Sequence, residues 1–224
     1  MKDSFAEKAI EFFTKLHINT SFPKGVELMN PYKDEQVVSV VREFFSKYYD
    51  DKNKRTGIFG INPGRFGAGI TGIAFTDPVN LQQKCDIENK MQQKHELSSL
   101  FIYEMIEAYG GVEQFNDQFF LTAVCPLGFV KDGKNLNYYD QNDLLSAVEN
   151  FIVKNIRDQI DLGLKTGKCL CLGEGKNYKY FSKLNEEHGF FGEIIPLAHP
   201  RYIMQYKRKS KEKYIGAYLN HLKI

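Results

Sequence analysis

The sequence lacks several features that would place the chain in a membrane or in an oxidising compartment. No apolar run in its 224 residues approaches the ~20 residues of a membrane-spanning helix. Charged residues interrupt the apolar ones near the amino terminus, so no signal peptide is indicated. The four cysteines include no CxxC pair, and zinc and iron–sulfur sites need better spacing than this. We therefore expect a soluble, cytoplasmic protein with reduced core thiols, no metal, no other cofactor and no membrane association.

A large excess of positive charge is also missing, because the net charge is only +2. Six basic residues against one acidic residue nevertheless fall between Arg201 and Lys213. Such a run on a near-neutral protein is typical of a surface that contacts nucleic-acid phosphates. A solvated helix face is the alternative interpretation, and the run taken by itself favours that alternative.

No internal repeat, low-complexity segment or interdomain linker divides the chain, so we expect residues 1–224 to form one domain. Helical spacing predicts helices over 4–17, 33–49, 97–111, 143–163, 178–189 and 212–222. Apolar, β-prone runs predict strands over 57–61, 118–129, 168–173 and 192–200. The alternation of predicted helices and strands indicates an α/β fold with three layers, α/β/α, around a central four-stranded, mainly parallel sheet. Helices within residues 1–50 would precede a core formed by 57–224, and the polar stretch 76–96 would be a surface excursion.

The segment 60–75 directly follows the first predicted strand and holds five glycines in sixteen residues. Glycines let backbone N–H groups approach a ligand closely. Asn62 stands where the strand ends, at the edge of an α/β sheet where ligands bind. A turn that only reverses the chain is the alternative interpretation. A nucleotide-phosphate site is disfavoured, because the segment lacks the G-x-x-x-x-G-K-[ST] pattern.

The carboxyl ends of parallel strands lie on one edge of a sheet, so the segments after the four predicted strands should converge on one crevice. These segments carry Asn62, Cys125-Pro126-Leu127, Gly173 and His199-Pro200. His199 opens a basic, aromatic loop and is therefore better placed for chemistry than the other four histidines.

Together these segments resemble the uracil-DNA glycosylase superfamily, and within it the single-strand-selective monofunctional type. The family motif G-M-N-P-G-P-F-G-M-A-Q-T-G-V-P-F is matched in register by residues 60–75. A C-P-L element with its G-x-N-L turn is matched at 125–127 and 133–136, and a G-x-G-R/K element at 173–176. The family's His-Pro is matched at 199–200, and the resemblance spans about residues 57–220.

The resemblance implies a monofunctional DNA glycosylase of base-excision repair. Such an enzyme flips uracil, or a related deaminated or oxidised base, out of the stack and hydrolyses its N-glycosidic bond. Asn62 would position the attacking water, and His199 would donate a hydrogen bond to the leaving base. The implied base-binding residues are Ile61, Gly64, Phe66, Phe75 and Ala123, although Phe75 is also readable as a core residue. The implied partner is DNA, and no obligate protein partner is implied.

The chain departs from the family pattern at two places. Ala123 stands where the family has an asparagine that reads the uracil edge, so we expect a broader base choice that includes deaminated purines such as xanthine. The S-P-R-N-P that usually follows the His-Pro is also absent. The DNA-inserting loop would then comprise Pro200, Arg201, Tyr202, Ile203 and Met204, with Lys207, Arg208 and Lys209 on the DNA backbone. Ala123 favours one alternative, a damaged- or single-stranded-nucleic-acid binding protein without catalysis, but such a protein needs neither Asn62 nor His199.

Overall fold

The computed structural model describes residues 4–223. The helices are α1 (Phe5–Thr14), α2 (Glu35–Tyr48), α3 (Ala68–Thr71), α4 (Pro78–Gln83), α5 (Leu97–Tyr109), α6 (Val112–Gln118), α7 (Asn142–Asp161), α8 (Lys176–His188), α9 (Pro200–Tyr206) and α10 (Lys211–Leu222). The strands are β1 (Val26–Met29), β2 (Thr56–Gly60), β3 (Phe119–Ala123), β4 (Gly128–Lys131), β5 (Lys134–Leu136), β6 (Lys168–Leu172) and β7 (Glu193–Leu197). All six helices expected from the sequence are present. None of the described helices is long and apolar enough to cross a membrane.

The central sheet has four strands in the order β3-β2-β6-β7, and every neighbouring pair is parallel. All five residues of β2 are buried, because helices cover both faces of the sheet. One apolar cluster packs α1, α2, α7 and α8 on one face. A second cluster packs α5, α9 and α10 on the other. The predicted three-layer fold is therefore confirmed.

Local signals explain where several helices begin and end. The Ser4 hydroxyl accepts a hydrogen bond from the Glu7 amide, and the Glu7 carboxylate accepts one from the Ser4 amide. This capping box starts α1 and satisfies two otherwise unpaired donors. At the other end of a helix, Gly110 adopts φ +131° and terminates α5.

The prediction of one strand over 118–129 is wrong in its second half. Only Phe119–Ala123 joins the parallel sheet. After Pro126 the chain enters β4, which pairs antiparallel with β1 and β5 in a separate three-stranded sheet. Proline lacks the N–H that a central strand needs, so it marks this change of sheet.

The prediction that 76–96 is a surface excursion is also wrong. Residues 78–83 form α4, and Leu81, Cys85 and Ile87 are fully buried. The buried Asp77 carboxylate accepts hydrogen bonds from the Asn80 and Glu96 amides, which tie the two ends of the segment together. A few apolar residues at irregular spacing are enough to anchor this segment, although they give no periodic signal.

Candidate active site

A cleft of about 590 Å³ lies at the carboxyl ends of β2, β3 and β7. Its walls are residues 60–68, Ala74 and Phe75, the ends of β3, the β5 hairpin and one side of α9. Asn62 and His199 both line it, as the topology predicts. The Cys125-Pro126-Leu127 segment does not, because Cys125 and Leu127 are fully buried, and Gly173 lies outside the cleft lining.

The Asn62 side chain is held in one orientation by backbone groups. Its Nδ2 donates to the carbonyl oxygens of Pro63, at 3.3 Å, and of Leu136, at 3.2 Å. Its Oδ1 accepts from the Tyr138 amide at 3.1 Å. An amide oxygen has two acceptor sites, so one remains for a water molecule. The G-x-N-L turn that ends at Leu136 therefore fixes the direction in which Asn62 presents that oxygen.

Two buried residues, Tyr138 and Asn177, support Asn62 through hydrogen bonds that no sequence motif indicates. The Tyr138 hydroxyl donates to Asn177 Oδ1 at 2.7 Å. Asn177 Nδ2 in turn donates to the carbonyl oxygen of Gly60 at 3.4 Å. Tyr138 and Asn177 are both buried. These hydrogen bonds thus link Asn62 back to Gly60, the last residue of β2, two positions before Asn62.

His199 is the N-cap of α9, and this role fixes its tautomer. Its Nδ1 accepts a hydrogen bond from the Arg201 amide at 3.1 Å. In the neutral imidazole the proton then resides on Nε2, which is left as a donor. Burial, together with the Arg201 charge, lowers the pKa of His199 to about 4. At neutral pH His199 is therefore an uncharged hydrogen-bond donor in a cleft.

The Phe75 ring packs directly over Gly60. A Cβ at position 60 would come within 2.6 Å of the Phe75 ring, so only glycine fits there. Phe75 itself adopts φ +55°, an uncommon conformation for a non-glycine residue. Its ring centroid lies 6.1 Å from that of His199. The aromatic face and the imidazole donor thus border the same part of the cleft.

The end of β3 offers few side-chain hydrogen bonds to a ligand. Ala123 lines the cleft, and its side chain is a methyl group that makes no hydrogen bond. The Thr122 hydroxyl is bonded to Gln159 Oε1 on α7, and Gln159 Nε2 reaches the Ala123 carbonyl at 3.4 Å. Glu96 lines another wall, where its carboxylate accepts from the Ser99 amide and the Ser98 hydroxyl and caps α5.

The expected loop after His199 is instead the helix α9. Pro200 occupies its first turn, where the missing N–H and the fixed φ of proline suit a helix. Ile203 is fully buried and Met204 is 4% exposed, and both belong to the apolar cluster that packs α5. These two side chains therefore hold α9 in place and are not free to enter a base stack.

The exposed face of α9 differs sharply from the buried one. Tyr202 is 44% exposed and Tyr206 is 66% exposed, and their ring centroids are 5.7 Å apart. Arg201 and Gln205 share the cleft-facing side with them. The exposed cations that follow are Lys207, Arg208 and Lys209. Tyr206 is a further surface aromatic residue that the motif comparison does not single out.

Over residues 4–223, no group of three or more His, Cys, Asp or Glu side chains could hold a metal ion. All four cysteines are free and buried. Burial raises the pKa of Cys85, Cys125 and Cys171 to about 12, so these thiols are protonated and inert at neutral pH.

Comparisons with known proteins show the family to which the chain belongs. The model of the uracil DNA glycosylase superfamily matches residues 46–223. The crystal structure of wild-type SMUG2 from Pedobacter heparinus superposes with a TM-score of 0.96 at 47% sequence identity, over 98% of this chain and 97% of that one. A search of curated proteins gives no match.

Proposed function

Since the chain belongs to the uracil-DNA glycosylase superfamily, we propose that it is a monofunctional DNA glycosylase of base-excision repair that removes uracil and related deaminated or oxidised bases. One observation carries this proposal: Asn62 and His199 border one cleft, each with its hydrogen-bonding direction fixed by the backbone. A protein that only binds damaged DNA needs neither residue. The pair therefore favours catalysis over binding alone.

The reaction breaks the bond between C1′ and the base nitrogen of a flipped nucleotide. The electron pair of that bond leaves on the base, where negative charge develops on the O2 of a pyrimidine. The His199 Nε2–H donates to that oxygen, and a neutral donor aimed at developing charge lowers the barrier. The free acceptor site of Asn62 Oδ1 orients a water molecule, whose oxygen bonds to C1′ while one of its protons passes, directly or through solvent, to the departing base anion. An amide has no useful basicity, so Asn62 positions the water rather than deprotonating it.

The base would occupy the space beside Phe75, with its ring stacked on the phenylalanine face. Ile61 and Phe66 border this space, and Gly64 leaves room for a substituent at C5 of a pyrimidine. Ala123 makes no hydrogen bond to a base edge. The loss of hydrogen bonds at this position favours acceptance of more than one base, deaminated purines included.

The DNA strand would run along the exposed face of α9. Arg201 and Tyr202 are the residues of the expected inserting segment that remain available, with Pro200 setting the start of the helix. Aromatic residues next to cations suit nucleic acid, because bases stack on the rings while phosphates meet the charges. Lys207, Arg208 and Lys209 supply those charges immediately after α9. Ile203 and Met204 have no part in this proposal.

Oligonucleotides that carry one altered base test the proposed function. Purified protein is incubated with single- and double-stranded DNA containing uracil, hydroxymethyluracil, xanthine or hypoxanthine, and abasic sites are then cleaved with alkali. We expect strand breaks only after the alkali step, since water rather than a lysine is the nucleophile. An absence of abasic product from all four bases, with DNA binding intact, would establish the binding protein instead.

A further inference from the structure

Arg65 is a charged residue of the cleft that the proposed reaction does not use. It stands where the family motif has proline, and a guanidinium brings five N–H donors to a position where proline brings none. Within residues 4–223 the Arg65 side chain makes no hydrogen bond or salt bridge, and its Nε is buried. A buried donor with no acceptor is uncommon in native proteins, so the missing acceptor calls for an explanation.

The surroundings of Arg65 hold the guanidinium at the rim of the cleft. Its carbon Cζ lies 4.9 Å from the centroid of the Phe66 ring, and Lys94 Nζ lies 4.3 Å from the same centroid. The Asn135 side chain accepts a hydrogen bond from the Arg65 amide at 3.0 Å. This bond ties Arg65 to the hairpin that presents the exposed Lys134, which also lines the cleft.

These residues form what we call the Arg65 cluster: Arg65, Phe66, Lys94 and Lys134. None of its three cations forms a salt bridge with another described residue. The nearby carboxylate that lines the cleft is Glu96, and it is already hydrogen-bonded at the start of α5. The cluster is thus a preformed site of positive charge with an open ligand position.

We propose that the Arg65 cluster binds a phosphate of the DNA backbone next to the flipped nucleotide. This inference rests on the proposed function and adds a second phosphate contact to that of Lys207, Arg208 and Lys209. Arginine suits this ligand, because its planar fork can donate two parallel hydrogen bonds to phosphate oxygens. Both Arg65 and Lys94 contact the Phe66 ring, which brings two positive charges to one place. Two phosphate-binding sites on one strand would hold the DNA backbone while a base enters the cleft.

Salt dependence of DNA binding tests the site without requiring catalysis. The affinity for a uracil-free, single-stranded oligonucleotide is measured by fluorescence anisotropy between 50 and about 200 mM salt. Loss of one phosphate contact lowers the slope of log K against log[salt] by about 0.7. We expect this change for Arg65→Gln, a smaller loss of affinity for Arg65→Lys, and no change for Lys52→Ala. Lys52 is an exposed lysine just before β2, at the opposite end of the strand from the cleft.

An Arg65→Gln slope equal to that of Lys52→Ala would overturn the proposal. Thermal unfolding with inorganic phosphate gives a second outcome against the proposal. If phosphate stabilises the wild type but not Arg65→Gln, and the salt dependence of DNA binding is the same for both, the cluster holds free phosphate and not DNA. Wild-type glycosylase activity is measured separately. If the wild type is active and the Arg65→Gln slope is unchanged, only the Arg65 site is rejected. If the wild type is inactive and the Arg65→Gln slope is changed, only the proposed reaction is rejected.

Discussion

The protonation state of His199 can be tested by lowering the pH of the glycosylase reaction. Burial and the Arg201 charge hold its pKa at about 4, against an ordinary value of 6.5. At pH 5.5 a group with pKa 4 is about 3% protonated, whereas one with pKa 6.5 is about 90% protonated. Protonation would also put a hydrogen on Nδ1 and break its bond to the Arg201 amide. The account therefore predicts nearly the same rate constant at pH 5.5 as at pH 7.5.

The assay is a single-turnover reaction with a uracil-containing oligonucleotide at saturating protein, so that changes in binding do not enter the rate. The imidazole ¹⁵N resonances of His199, assigned by their loss in His199→Gln, report the tautomer and the pKa directly. A roughly tenfold fall in rate between pH 7.5 and 5.5, with its midpoint near 6.5, would refute the lowered pKa of His199. An Nδ1–H tautomer at pH 7 would refute the assignment of Nε2 as the donor.

The lowered pKa of His199 also gives a prediction for the stability of the protein. The folded pKa lies below the unfolded one, so the unfolded chain takes up the proton first as the pH falls. The contribution of His199 to the free energy of unfolding is fully present above pH 6.5 and is lost as the pH falls towards 4. Its size is at most roughly 3–4 kcal/mol, at 1.36 kcal/mol per pKa unit. The difference between the wild type and His199→Gln in urea unfolding should follow this window.

Two further substitutions test the packing around the cleft. Gly60→Ala places a Cβ within 2.6 Å of the Phe75 ring, so it should reduce kcat/KM by about tenfold or more and cost about 1–3 kcal/mol of stability. Gly167→Ala is the matched control, because its Cβ would meet nothing within 4 Å. Equal activity of the two variants would contradict the stacking role of Phe75. Tyr138→Phe leaves Asn177 Oδ1 without its donor, so urea unfolding should show a loss of about 1–3 kcal/mol. It should also lower kcat with KM unchanged, and a stability loss with unchanged kcat would make Tyr138 structural only.

The parts of the site that lie within one segment could be predicted from the sequence, because their spacing is a property of that segment. Asn62, the glycines around it and His199-Pro200 are of this kind. Tyr138 and Asn177 could not be predicted, because their link to Asn62 joins residues far apart in the chain through buried hydrogen bonds. No pattern of residue types encodes such a contact.

Two local features were mispredicted for a different reason, namely that the segments are short or aperiodic. Pro200–Tyr206 is one helix of seven residues, too short for its apolar spacing to stand out among aromatic and basic neighbours. Burial of Ile203 and Met204 against α5 decides its structure. Likewise, the packing of residues 76–96 depends on the Asp77 carboxylate and three isolated apolar side chains rather than on a repeat.

The yield of abasic sites from a uracil-containing oligonucleotide in a single turnover tests the central claim, which is that Asn62 and His199 together perform hydrolysis in this cleft. The account predicts abasic product with the wild type and rates lower by about 10²-fold or more for Asn62→Ala and for His199→Ala. DNA affinity, measured in parallel by anisotropy, should stay within a few fold of the wild-type value. Either variant forming abasic sites at the wild-type rate would contradict the account.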